Sequence, residues 1–216
     1  MQAPHVLKYD LGMSDTIQQP RQMLMKEYLE REFLAETKSE FVDGELIDMA
    51  GVREPHVLVV SNLVRIIGNA LQGKQCRVYS TDLRVRIKRR PRYRYPDVFI
   101  ICGKTEFDEN DSRQMSVTNP RVIIEVLSDS TEKEDRGRKF NDYRSLDSFE
   151  EYVLIEQAQA SVEWFRRQPD GDWSIGFVEG LDAVFTLGSL GLELPLKDIY
   201  ANVDLPIKPV PESDKK

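Results

Sequence analysis

Apolar positions in residues 22–37 recur near every 3.6 residues. Leu24, Met25, Tyr28, Leu29 and Phe33 stand among lysines, glutamates and arginines, which predicts an amphipathic helix. Residues 39–49 read as two short strands about Asp43-Gly44, a dipeptide suited to the tight hairpin turn. Residues 55–72 return to helical spacing through Val60, Leu63, Val64, Ile67 and Leu71, and Pro55 suits the first helical position. Over 76–88 the period falls to two. Leu83, Val85 and Ile87 face one way, and Asp82, Arg84, Arg86 and Lys88 the other. The unbroken apolar runs after Asp97 and over 122–127 predict strands buried on both faces. Between them, 104–119 is a polar, acidic loop. A helix is expected over 131–146, with Thr131 and Glu134 at capping-box spacing and Phe140, Tyr143 and Leu146 as its inner stripe. Strands follow at 151–156, 161–167 and 173–179, and a short helix near 195–200 closes the domain. Residues 1–21 read as an arm and 206–216 as a Pro-rich, charged tail. The sum is an α/β (α+β) single domain over 22–205, a mixed β-sheet flanked by helices.

Composition changes this picture little. The chain has 216 residues, 40% hydrophobic and 31% charged, which excludes a disordered or fibrous protein. A chain of this size buries about 70% of its unfolded surface and needs no staple to fold. Cys76 and Cys102, each in an apolar run, are expected as buried free thiols. No run approaches the ~20 apolar residues of a membrane span, and residues 1–21 lack the regions of a signal peptide, so a cytoplasmic protein is expected.

Charge matters more. The formal net charge is −7, which at first argues against a nucleic-acid partner. Yet residues 84–94 carry seven basic residues and no acid, leaving −14 for the rest of the chain. Arg84, Arg86, Lys88, Arg89, Arg90, Arg92 and Arg94 are therefore candidate nucleic-acid contacts, with Tyr93 and Tyr95 interleaved for stacking. A solvated edge hairpin carrying protective charges is the structural alternative.

The most informative single residue is Glu125, a carboxylate inside Val-Ile-Ile-Glu-Val-Leu. A buried carboxylate is normally paired, protonated or metal-bound. Asp97 opens the neighbouring apolar run. Two such strands can set both acids side by side, where a hard cation such as Mg²⁺ or Mn²⁺ relieves their repulsion. The alternatives are a structural ion pair for Glu125 and a strand-start role for Asp97. Lys139 follows on the predicted helix, beside the Phe140/Tyr143 stripe. Its amine either reaches the sheet edge or pairs with Asp135 or Tyr143 on its own face. Glu40, Asp82 and His56 are weaker candidates. Asp82 either binds metal or pairs with its neighbours, and His56 is a general base, a phosphate donor or a satisfied core histidine.

Tyr95-Pro96-Asp97-Val98, Ile124-Glu125-Val126-Leu127-Ser128 with Ser130-Thr131, and Asp135-Arg136-Gly137-Arg138-Lys139-Phe140 with Tyr143-Arg144 together resemble the Uma-type restriction endonucleases of the PD-(D/E)-x-K superfamily. Glu40-Phe41-Val42-Asp43-Gly44-Glu45-Leu46, His56 and Ser80-Thr81-Asp82-Leu83-Arg84 extend the resemblance over roughly 22–202. It implies a restriction-endonuclease-like fold and a Mg²⁺- or Mn²⁺-dependent endonuclease acting on DNA. Asp97 and Glu125 become the metal-binding acids, and Glu40 a third carboxylate. The superfamily pattern places a lysine two residues after Glu125, where Leu127 stands, and the resemblance shifts that role to Lys139. It also implies a homodimer, one site per DNA strand. A nucleic-acid-binding or protein-interaction module without catalysis is the competing function.

Overall fold

The computed structural model describes residues 22–49, 51–80 and 82–206. The expected arm (1–21) and, but for Pro206, the tail (206–216) lie outside the described residues. The long apolar runs build one sheet and the arginine-rich strands another. The six-stranded sheet has the order β11-β10-β9-β8-β6-β3. Its strands are β3 (Cys76–Ser80), β6 (Val98–Cys102), β8 (Val122–Leu127), β9 (Glu151–Glu156), β10 (Ser161–Arg167) and β11 (Trp173–Glu179). Only β8 and β9 run parallel; the other neighbours are antiparallel. The central position of β6 and β8 explains their unbroken apolar sequences, because both of their faces are covered.

The five-stranded sheet has the order β2-β1-β5-β4-β7. It contains β1 (Ser39–Val42), β2 (Glu45–Asp48), β4 (Arg84–Ile87), β5 (Arg92–Arg94) and β7 (Ser116–Val117). The β1–β2 turn is the expected Asp43-Gly44 pair, with φ of 53° and 99°, the two positive values a primed hairpin turn requires. Helix α1 (Met25–Leu34) lays Tyr28 and Leu29 on this sheet, against Phe41 and Tyr93.

Helix α2 (Glu54–Ala70) covers one face of the larger sheet through Val59, Val60, Leu63 and Ile67. A third, two-stranded sheet of β12 (Val184–Leu187) and β13 (Leu192–Pro195), with helix α5 (Leu196–Ile199), completes that core. The opposite face packs Phe99, Ile101, Ile123 and Tyr152 against Val85, Ile87, Tyr143, Leu146 and Phe149. The fold is thus a mixed α+β single domain. Among the described residues no helix is long and apolar enough to cross a membrane.

Several sequence expectations are corrected. The single strand expected over 76–88 is two, β3 and β4, in different sheets. Strict alternation on β4 does not mark a solvent face, because all four of its residues are buried. The loop 104–119 is what covers them. Asp111 pairs with Arg84 at 2.9 Å, and Asp108 lies 3.8 Å from Arg86 and accepts from the Tyr93 hydroxyl at 2.6 Å. The helix expected over 131–146 is α3 (Glu132–Glu134), a π-helical segment (Asp135–Lys139) and α4 (Phe140–Tyr143). Thr131 precedes it but makes no side-chain cap, since its hydroxyl bonds to Ser128. The β12–β13 hairpin lies between the strand expected at 173–179 and the helix expected near 195–200. The cysteines are not free: Cys76 and Cys102 are directly opposed in the β3–β6 register, with Cα atoms 3.9 Å apart, and form a disulfide. Each is only half-buried.

Candidate active site

The antiparallel β6–β8 register pairs Val98 with Ile124, so the next position sets Asp97 across from Glu125. The strand period then turns Glu125 to the same face as Ile123 and Leu127. Backbone bonds lock the two acids together. The Asp97 amide donates to Glu125 Oε2 at 3.2 Å, and the Val126 amide donates to Asp97 Oδ2 at 2.8 Å. Asp97 Oδ1 lies 3.2 Å from His56 Nε2. His56 stands in the first turn of α2, 6% exposed, and its Nδ1 has no hydrogen-bond partner among the described residues.

The helical segment supplies the other wall. Asp135, Lys139 and Tyr143 recur at every fourth position and all point inward. Lys139 Nζ is 2.8 Å from Asp135 Oδ1 and 3.2 Å from Glu125 Oε1, and the Tyr143 hydroxyl donates to the same Oε1 at 3.0 Å. Glu40, from β1, is 3.9 Å from Lys139 Nζ and accepts from the Tyr95 amide at 3.0 Å. Its other oxygen takes a 2.6 Å bond from Arg94. Arg94 is fully buried and also reaches Asp142 and Glu134. Removing one partner from such a buried network typically costs 3–5 kcal/mol, because a charge is left uncompensated.

Burial sets the proton affinities. It pushes the Glu125 carboxyl up to about 8; Lys139 opposes the rise, and Asp135, Asp97 and Glu40 add to it. Burial also works against charge on Lys139, but Glu125, Glu40 and Asp135 outweigh it and hold the ammonium well above its usual range. Burial, reinforced by Glu125, likewise keeps the Tyr143 hydroxyl protonated.

These groups open into a cavity of about 220 Å³. Asp97, Glu125, Lys139, Glu40 and His56 all line it, so five of the six sequence candidates for catalysis meet in one place. Asp82 is not among them. It is exposed on the surface and paired with Lys38. A larger, mainly apolar cavity of about 590 Å³ abuts the first and shares Met49, Val52, His56, Tyr95 and Asp97 with it.

The candidate nucleic-acid contacts divide. Arg84, Arg86, Arg92 and Arg94 are buried. Their partners are Asp111 for Arg84, Asp108 for Arg86, Asp43 and Asp142 for Arg92, and Glu40, Glu134 and Asp142 for Arg94. A guanidinium so engaged cannot also grip a phosphate, and these four are corrected to structural cations. Lys88, Arg89 and Arg90 remain exposed at the turn. Sequence reasoning also missed residues. Asp135 and Tyr143 belong to the motif that carries the resemblance, but neither is a site candidate there, although their spacing with Lys139 is the available signal. Nothing local marks Asp142, or shows that Arg94 is a structural cation, because their partners are distant in sequence.

Whether a divalent cation suits the cavity can be judged from its donors. Among the described residues no group of three or more His, Cys, Asp or Glu is arranged to hold a metal. Mg²⁺, however, typically takes one or two carboxylates and completes its shell with water and substrate oxygen. Asp97 and Glu125 meet that requirement. Burial raises the affinity of Glu125 for a proton, and Asp135, Asp97 and Glu40 add to it; a cation between the acids would offset their repulsion as a proton does. The donor set therefore fits a hard divalent cation.

Residues 25–197 match the model of a family described as "Uma2: Putative restriction endonuclease". The uncharacterized protein sll1609 of Synechocystis sp. is 38% identical over 157 residues, which are 73% of this chain and 88% of its own length. The uncharacterized protein slr1290 of the same organism is 31% identical over 176 residues, 81% of this chain and 90% of its own. Among solved structures the fold is similar to that of "a putative nuclease belonging to DUF820" from Anabaena variabilis ATCC 29413. The TM-score is 0.65 at 18% identity, covering 82% of this chain and 97% of the other.

Proposed function

Because the chain belongs to the Uma2 family, described as putative restriction endonucleases, we propose that it hydrolyses phosphodiester bonds of DNA with Mg²⁺ or Mn²⁺ held by Asp97 and Glu125. The observation that carries this reading is the pair of carboxylates facing each other across β6 and β8, with Lys139 beside them in an open cavity. A bound cation of this kind supplies Lewis-acid neutralisation of phosphate charge and a more acidic bound water.

The chain's own groups do the rest. Lys139 stays charged at neutral pH and, held by Asp135 and Glu125, presents an ammonium to the charge that develops on the phosphate. Tyr143 fixes the second lone pair of Glu125 Oε1, so the carboxylate cannot rotate away. His56 orients Asp97 through their 3.2 Å contact. Glu40 holds Lys139 from below and is itself held by Arg94. The apolar cavity alongside gives room for a sugar or base next to the reacting phosphate.

Plasmid nicking with Mg²⁺ or Mn²⁺ tests the reading. Asp97→Ala is expected to lower the rate at least about 10²-fold, in the range seen when a charge-stabilising group is lost. Lys139→Ala is expected to fall in the same direction. Wild type and Asp97→Ala nicking equally would overturn the metal site. A homodimer belongs to the same proposal, since two cavities would serve two strands; equilibrium sedimentation reads it directly.

A further inference from the structure

The helical segment that carries Lys139 has a second, outward face. A groove of about 1080 Å³ lies there, between the β4–β5 turn, the outer side of the π-helical segment and α4, and the β10–β11 turn. Five arginines line it, Arg89, Arg90, Arg138, Arg144 and Arg167, against one acid, Asp172. The sequence scatters these arginines over three separate segments, so no single run betrays the cluster.

The arginines differ in how far they are engaged. Arg167 donates to the carbonyls of Arg144 and Asp147 and lies over the Trp173 ring at 5.3 Å. It is a fixed part of the floor. Arg89 is 3.2 Å from exposed Asp147, where such a pair is weak and exchangeable, and Arg138 is 3.6 Å from half-buried Glu134, whose nearer partner is Arg94. Arg90 and Arg144 are exposed and have no ion pair among the described residues. Asn141 and Ser145 add neutral polar groups between them. Arg90 and Arg144, without an ion pair among the described residues, leave positive charge in the groove that an extended anion would satisfy. One ion pair links the groove to the active-site cavity across the helical segment. Glu134 lines that cavity and is the partner of Arg138.

We propose that this arginine groove, rather than the strands of the basic hairpin, holds the phosphate backbone of the DNA. The identity of the polyanion rests on the nuclease reading above; the groove itself does not. Guanidinium groups on three elements fit successive phosphates and fix position without reading sequence.

Binding of a fluorescein-labelled DNA duplex, followed by anisotropy in EDTA at several NaCl concentrations, tests this without any turnover. Arg90→Glu with Arg144→Glu is expected to weaken affinity at least about tenfold and to flatten the salt dependence by about two units of slope. Arg90→Ala with Arg144→Ala shifts affinity the same way by less. Arg31→Glu with Arg65→Glu changes net charge equally on exposed positions of α1 and α2, and is expected to bind like wild type. Matching melting curves exclude misfolding as the cause. The groove is overturned if both reversed pairs bind alike, or if wild type fails to bind at low salt. Nicking with Mn²⁺ in the same preparations separates the two ideas. Groove-dependent binding with no Asp97-dependent nicking sinks the nuclease and leaves the groove. Nicking and binding that both survive Arg90→Glu with Arg144→Glu sink the groove and leave the nuclease.

Discussion

Glu125 is an acid whose surroundings decide its proton. Its carboxyl ordinarily titrates near 4.5, and burial raises it to about 8. Between those values the folded protein keeps a proton that the unfolded chain has released. Stability from this group is therefore highest at the acid end of the window, falls as pH rises and levels off above about 8. Lys139 does not alter that slope, because its ammonium stays charged throughout the window. Glutamine imitates the protonated acid. In EDTA, the melting temperature of Glu125→Gln relative to wild type is expected to climb from pH 5 to pH 8.5; a difference flat with pH would show that burial does not control Glu125. The acid itself was legible in the sequence, since a carboxylate among six core positions stands out. Its partners were less so. Arg94 read as one of seven similar basic residues, and only contacts with Glu40, Asp142 and Glu134 from three other segments make it a buried structural cation.

At the scale of elements, hydrophobic period located helices and strands well, because burial on one face imposes it directly. It failed where an element changes character within its length. The strand period over 76–88 holds on both sides of a break, so alternation alone cannot show that β3 and β4 join different sheets. The helix after Thr131 has a comparable hidden feature. Its π-helical segment, Asp135–Lys139, adds a residue to the turn, and such segments often mark functional positions. Deleting Gly137, whose Cα faces open space, should restore ordinary helical winding. Asp135 and Lys139 would then stand three residues apart instead of four, which changes the rise and angle between them, so the ammonium could no longer meet Asp135 and Glu125 together. Far-ultraviolet circular dichroism is expected to stay near wild type while Mn²⁺-dependent nicking is lost. Retained nicking would show that the π-helical winding does not position the site.

For the whole molecule, the disulfide and the charge distribution are the decisive features. Cys76 and Cys102 tie edge strand β3 to β6 at the far end from Asp97. Replacing both with serine is expected to cost about 2–4 kcal/mol by urea denaturation and to leave nicking intact below the melting transition. Loss of activity in the folded variant would show that the edge strand governs the site. Net charge alone was a poor guide to partners. The basic stretch 84–94 is largely neutralised inside the fold by Asp43, Asp108, Asp111 and Asp142, and the exposed cations collect instead from separate segments. The sequence by itself determined the mixed α+β class and marked the acid buried in β8 and the acid that precedes β6. Each of these leaves a local trace, because burying or exposing a side chain shows in its immediate neighbours. Only the tertiary structure decided which arginines are buried, which acids neutralise them, how the cysteines pair and where a polyanion could lie. Those outcomes depend on residues far apart in the chain meeting in space, and no local pattern encodes such a meeting.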